Sequence, residues 1–152
     1  MLCEADIRVS WRTRPRGFIA LMSLYESNYL RFVQLAGAPA GLAGTLVSRP
    51  AGDCELQLAV LEHMRYTSTL SLTYVMPHPG AAPERLPDLR LRIYHDARLL
   101  EAEALAAPGT VRRCAPRPGE RELHQRWMRN MMLNKWLEYC ADRGHRFSAP
   151  EP

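Results

Sequence analysis

Two short stretches of the sequence combine residue types that can do acid–base or binding chemistry. The first is Tyr94-His95-Asp96, between two runs that alternate apolar and charged residues. His95 is a candidate catalytic acid or base because imidazole titrates near neutrality, and Asp96 is its candidate partner. Adjacent residues of a strand point to opposite faces, so Asp96 can orient His95 only if the turn twists it round. The structural alternative is that Asp96 fixes the turn and His95 packs beside it.

The second stretch is "EHMRYT", which places Glu62, Arg65 and Tyr66 at a predicted strand end. This combination of a carboxylate, a guanidinium and a phenol is typical of sites that bind phosphate or carboxylate groups. Together with Tyr94 and His95, these three residues make up the predicted ligand-binding set. The structural alternative is that Glu62 and Arg65 pair across the loop.

Neither stretch has the spacing of a local metal site. The nearby residues with ligand atoms are Glu62, His63, His95, Asp96 and Glu103. They contain no His-x-His or His-x-x-x-His pair, so a site would have to be assembled from separate hairpins. The four cysteines include no C-x-x-C pair, and no glycine-rich phosphate loop follows a strand. The sequence therefore predicts no metal and no cofactor.

Two hairpins are predicted to position these residues. "CELQLAVLE" and "STLSLTYVM" alternate apolar and polar residues, which predicts two strands joined by "HMRYT". In the second hairpin, a reversal at Asp96-Ala97 gives the pairs Ile93–Leu100, Arg92–Glu101, Leu91–Ala102 and Arg90–Glu103. That register makes one apolar face and one face of opposite charges.

An amphipathic helix is predicted on each side of the strands. Apolar residues recur at helical spacing in "GFIALMSLYESNYLRFVQLAGAP" and again in "ERELHQRWMRNMMLNKWLEYCADRG". Each apolar stripe contains one asparagine, Asn28 or Asn130. A buried amide needs hydrogen-bond partners, so we expect the two asparagines to bond to each other or to strand backbone.

This order of elements predicts an α+β fold. Its antiparallel sheet has four or five strands and is flanked by an N-terminal and a C-terminal amphipathic helix that cover one face. Residues 17–145 are predicted to form the single α+β domain, 1–16 a flexible basic arm and 146–152 a disordered tail. "GLAGTLVSRPAG" and "PHPGAAPERLP" are predicted loops, and "TVRRC" a short extra strand.

Composition narrows the class of protein. With 47% hydrophobic and 24% charged residues, the 152-residue chain is typical of a globular protein. The net charge of +4 includes four arginines in the first 16 residues, but the other basic residues alternate with acidic ones. This pattern favours a solvated surface over a nucleic-acid groove. No apolar run reaches the ~18 residues of a membrane span, and no signal peptide is evident, so we expect a cytoplasmic protein.

Four ordered motifs resemble the YqiB family, a family of short bacterial proteins described as domains of unknown function. They are "LMSLYESNY", "LEHMRYT", "LRIYHDA" and "RNMMLNKWLEYC". The similarity covers nearly the whole chain after the arm and implies an architecture without an activity. Family members often have an Asp-Glu-Lys run before the helical asparagine. "HQR", residues 124–126, stands there in this chain, so any chemistry of that acidic pair is in doubt.

The leading functional hypothesis is a non-catalytic domain that binds a small anionic ligand or a protein partner, as a monomer or homodimer. The first alternative is an enzyme in which His95 is the acid or base and Arg65 positions an anionic substrate. The second is weak nucleic-acid binding through the basic arm.

Overall fold

The computed structural model describes residues 17–105 and 120–147. The elements in chain order are α1 (Phe18–Ala36), a 3-10 turn (Pro39–Gly41), β1 (Thr45–Ser48), β2 (Glu55–His63), β3 (Thr67–Met76), β4 (Glu84–Tyr94), β5 (Leu99–Leu105) and α2 (Glu120–Asp142). The strands form one antiparallel sheet in the order β1-β2-β3-β4-β5. The predicted α+β class is confirmed. The predicted arm, the "TVRRC" strand and residues 148–152 lie outside the described residues.

The β4–β5 hairpin has the predicted register over most of its length. Ile93 pairs with Leu100, Arg92 with Glu101 and Leu91 with Ala102. The predicted Arg90–Glu103 pair is wrong, because a bulge in β5 makes Ala104 the partner of Arg90. Glu103 instead forms an ion pair with Arg92, whose Nε lies 2.7 Å from Glu103 Oε1.

Two segments predicted as loops contain strand residues. Thr45–Ser48 forms an edge strand against β2, and four residues are too few for an alternating pattern to be recognised. β4 begins at Glu84 and includes Pro87. A proline has no N–H for the ladder, and it is tolerated here because the pairing with β3 is interrupted by a bulge between Thr73 and Val75.

The core lies between one face of the sheet and the two helices. Strand residues on that face are almost completely buried, namely Leu56, Leu58, Leu70, Leu72, Leu89, Leu91, Ile93 and Leu100. Phe32 of α1 and Leu133 and Leu137 of α2 pack on them. The helices run parallel, since Asn28 meets Asn130 and, further along both helices, Arg31 pairs with Glu138. Within the described residues, neither helix is long and apolar enough to cross a membrane.

The asparagines of the two helical stripes bond to each other and to the edge of β5, as predicted. Asn28 Nδ2 donates to Asn130 Oδ1 at 3.2 Å and to the carbonyl of Leu100 at 3.3 Å. Asn130 Oδ1 also accepts from the N–H of Ala102 at 2.8 Å. Asn134, which no pattern in the sequence marks, donates to Asn28 Oδ1 at 3.0 Å. The helices therefore occupy the backbone groups that an additional strand would use.

Candidate functional site

The β2–β3 loop and the β4–β5 turn lie at the same end of the sheet, because alternate connections of an antiparallel meander share an end. The backbone N–H of His95 donates to the carbonyl of Tyr66 at 2.9 Å, which joins the two connections directly. We refer to this region, residues 62–68 and 94–98, as the His95 end. It brings both sequence-predicted stretches together.

The predicted site residues at the His95 end are divided between the two faces of the sheet. Glu62 pairs with Thr69 of β3. Thr69 follows buried Ser68, and successive strand residues point to opposite faces, so Glu62 and Thr69 lie on the face away from the helices. Tyr94 lies on the same face and donates to Glu101 Oε1 at 2.6 Å. Burial, followed by this carboxylate, raises the pKa of Tyr94. Tyr94 therefore contributes a contact within the hairpin.

On the helix-side face, three polar residues form a row across β2, β3 and the end of β4. Ser68 Oγ lies 2.8 Å from His63 Nδ1 and 2.8 Å from His95 Nε2. The two rings are in edge-to-face contact, with centroids 5.7 Å apart. Ser68 is only 2% exposed, whereas His63 is exposed. We call these three residues the His-Ser-His row.

The row holds two imidazoles in place but is not a Ser-His-Asp triad. Asp96 is exposed, and in the described part of the chain it makes no hydrogen bond to His95. Burial and the neighbouring His63 lower the pKa of His95, and the charge of Asp96 opposes them. The role of Ser68 was missed in the sequence. Only the strand register could have identified Ser68, because His63 and Ser68 pair with each other across the β2–β3 hairpin.

Arg65 and Tyr66 form the exposed tip of the β2–β3 loop. The guanidinium carbon of Arg65 lies 5.2 Å from the centre of the Tyr66 ring, a cation–π distance. No ion pair joins Arg65 to Glu62 among the described residues. The structural alternative, an ion pair across the loop, is therefore wrong. Arg65 is an exposed cation in the loop that joins His63 to Ser68.

A second polar cluster lies at the opposite end of the sheet, and no pattern in the sequence predicts it. His145 Nδ1 is 3.0 Å from Ser48 Oγ, and its Nε2 is 2.8 Å from Asp53 Oδ2. Tyr74 donates to the same carboxylate oxygen at 2.7 Å. Burial raises the pKa of Asp53, but the hydrogen bonds from Tyr74 and His145 outweigh it and lower the value to about 2.

This second cluster attaches the segment after α2 to the rest of the fold. The side chain of His145 is completely buried, and the N–H of Arg146 donates to Ser48 Oγ at 3.1 Å. The next residue, Phe147, is 6% exposed, packs in the core and donates its N–H to the carbonyl of Leu35 at 2.9 Å. Although the cluster contains Ser, His and Asp, solvent does not reach the imidazole, so we assign it to stability.

Comparison with known proteins agrees with the motifs in the sequence. No solved structure matches the chain. Two proteins named "Uncharacterized protein YqiB", from Escherichia coli K12 and Escherichia coli O157:H7, are each 28% identical over 133 residues. The alignment covers 84% of this chain and 90% of each relative. The sequence profile of the family "Protein of unknown function (DUF1249)" matches residues 31–146, which include the His-Ser-His row. The predicted resemblance is confirmed, and the chain belongs to this family.

Proposed function

We propose that the protein is a binding domain whose His95 end holds the anionic group of a small molecule. The observation that carries the proposal is the His-Ser-His row, in which two imidazoles bond to one buried hydroxyl. Arg65 adds a permanent positive charge at the adjoining loop. Imidazole and guanidinium groups are well suited to bind phosphate or carboxylate oxygens.

The way these groups are held supports binding rather than a purely structural role. Ser68 satisfies one nitrogen of each ring, so each ring keeps its second nitrogen for another partner. His63 and Arg65 are exposed, and a ligand can reach them without opening the core. We place this binding in the cytoplasm, a proposal supported by the free thiols of Cys54 and Cys140.

The test is titration of the full chain with inorganic phosphate, pyrophosphate and citrate at low ionic strength. Isothermal calorimetry gives the affinity, and amide NMR shifts locate the site. We expect saturable binding with shift changes confined to residues 62–68 and 94–98. Arg65→Ala is expected to weaken it about tenfold, the loss of one charge-assisted contact of ~1.4 kcal/mol. Arg90→Ala is the matched control, since Arg90 is exposed on the other face of the sheet. Equal losses in both variants, or no saturable binding, would contradict the proposal.

Acid–base catalysis at the same place is a second candidate. It is favoured by the 2.8 Å contact between Ser68 and His95, which lets a hydroxyl and an imidazole exchange a proton. The test is turnover of 4-nitrophenyl phosphate by the protein and by His95→Gln. Turnover that survives the substitution, or is absent from both proteins, rejects catalysis by His95 on this substrate.

A further inference from the structure

The number of hydrogens in the His-Ser-His row limits what the neutral row can bind. The Ser68 hydroxyl has a single hydrogen, so if it donates to one imidazole, the other imidazole must donate to it. The two outward nitrogens, His63 Nε2 and His95 Nδ1, then differ. One carries a hydrogen and the other a lone pair. The neutral row therefore offers an anion one donor and one repelling lone pair.

The doubly protonated row has a different pattern. Both imidazolium rings donate to Ser68 Oγ, whose two lone pairs accept them. Both outward nitrogens are then N–H donors, and the row has two positive charges. With Arg65 in the adjoining loop, the His95 end then carries three cations.

The surroundings of His95 oppose its charged form. The titratable groups that act on His95 are His63 from β2 and Asp96 in its own turn, and the Tyr66 carbonyl of the β2–β3 loop accepts from its backbone N–H. Burial and His63 disfavour the charge on His95, and Asp96 compensates only in part. A bound anion would supply negative charge to an imidazolium at His95.

We infer, building on the proposed function, that the bound group is a dianion of the phosphate-monoester class and that its binding draws protons onto the His-Ser-His row. A dianion compensates both imidazolium charges and has enough oxygens to accept from both rings and from Arg65. A monoanion, such as a phosphodiester, compensates only one ring.

The experiment is isothermal calorimetry with sulfate in buffers of different ionisation enthalpy between pH 6 and pH 8. Sulfate stays dianionic throughout this range, so every proton taken up belongs to the protein. We expect uptake of about one to two protons per sulfate at pH 7. The affinity should fall by about tenfold per pH unit for each proton taken up.

Variants and a second pair of probes complete the test. His63→Gln is expected to keep the fold, lower the affinity about tenfold and leave at most one proton taken up, that of His95. His78→Gln, which removes another exposed histidine in the β3–β4 loop, should behave as the parent. Phenyl phosphate, a dianion above its second pKa of ~6, should bind at least tenfold more tightly than the monoanion dimethyl phosphate.

The outcomes separate this inference from the proposed function. Sulfate binding without proton uptake, or dimethyl phosphate binding as tightly as phenyl phosphate, overturns the inference and leaves the anion site standing. Absence of binding by all these anions overturns both. A phosphoserine peptide that binds more tightly than phenyl phosphate would contradict the assignment to a small molecule.

Discussion

Removing the Asn130 side chain should destabilise the protein more than any exposed substitution on the same helix. Its Oδ1 accepts from the Ala102 N–H and from Asn28 Nδ2, and its Nδ2 donates to the Arg126 carbonyl at 2.8 Å. Asn130→Ala leaves two buried N–H hydrogens without an acceptor, that of Ala102 and one of the two on Asn28 Nδ2, whose other hydrogen keeps the Leu100 carbonyl. At about 1–3 kcal/mol for each of these two unpaired N–H hydrogens, the free energy of unfolding should fall by about 2–6 kcal/mol. For a domain of this size, that lowers Tm by roughly 10 °C.

The assay is urea unfolding followed by far-ultraviolet circular dichroism. Gln125→Ala is the matched control because it removes an exposed amide from the same helix, and its effect should stay within about 0.5 kcal/mol. Since Asn28 and Asn130 share a hydrogen bond, the double variant should lose less than the sum of the single variants. A loss below 1 kcal/mol for Asn130→Ala would refute the claim that the amide supports the β5 edge.

Further changes in stability follow from single positions. The pKa of Asp53 is lowered from 3.8 to about 2, so its ionised form contributes stability that is complete above about pH 4 and lost as the pH falls through 2. Urea unfolding measures how much the free energy of unfolding falls between pH 5 and pH 2. In Asp53→Asn this fall should be about 1–2 kcal/mol smaller than in the parent protein. Phe147→Ala should cost about 3 kcal/mol in the same assay, and unchanged stability would show that the segment after α2 is dispensable. Arg98 has a φ of 54°, so Arg98→Gly should raise the free energy of unfolding by about 0.5–1 kcal/mol while Arg98→Ala does not. His63→Gln should change it by less than about 0.5 kcal/mol, and a loss above 2 would assign the His-Ser-His row to folding.

The period of the apolar residues was enough to predict the main elements. Alternation identified β2, β3 and the β4–β5 hairpin, and helical spacing identified α1 and α2, because each buries one face against the same core. The predicted register of the β4–β5 hairpin is wrong only beyond Leu91, where a bulge adds one residue to β5. A bulge is a local twist of the backbone, and no residue type marks it in the sequence.

The candidate site was predictable in part for the same reason. The two chemical stretches were found because unusual residue types occur close together in sequence. Ser68 escaped notice because serine is common in strands, and its meaning depends on which residues lie opposite. Asp53, Tyr74 and His145 are up to 92 residues apart, and only the folded chain brings them together.

The contrast between the two histidine clusters indicates where function should be sought. At His145 both ring nitrogens bond to protein groups, and the side chain has no exposure. All of its bonding capacity is therefore used to hold the segment after α2. In the His-Ser-His row the hydroxyl satisfies one nitrogen of each ring, and exposed His63 carries its second nitrogen to the surface. Bonding capacity kept at the surface is unnecessary for folding but is required for a binding site, and this difference is why we propose the His95 end as the binding site.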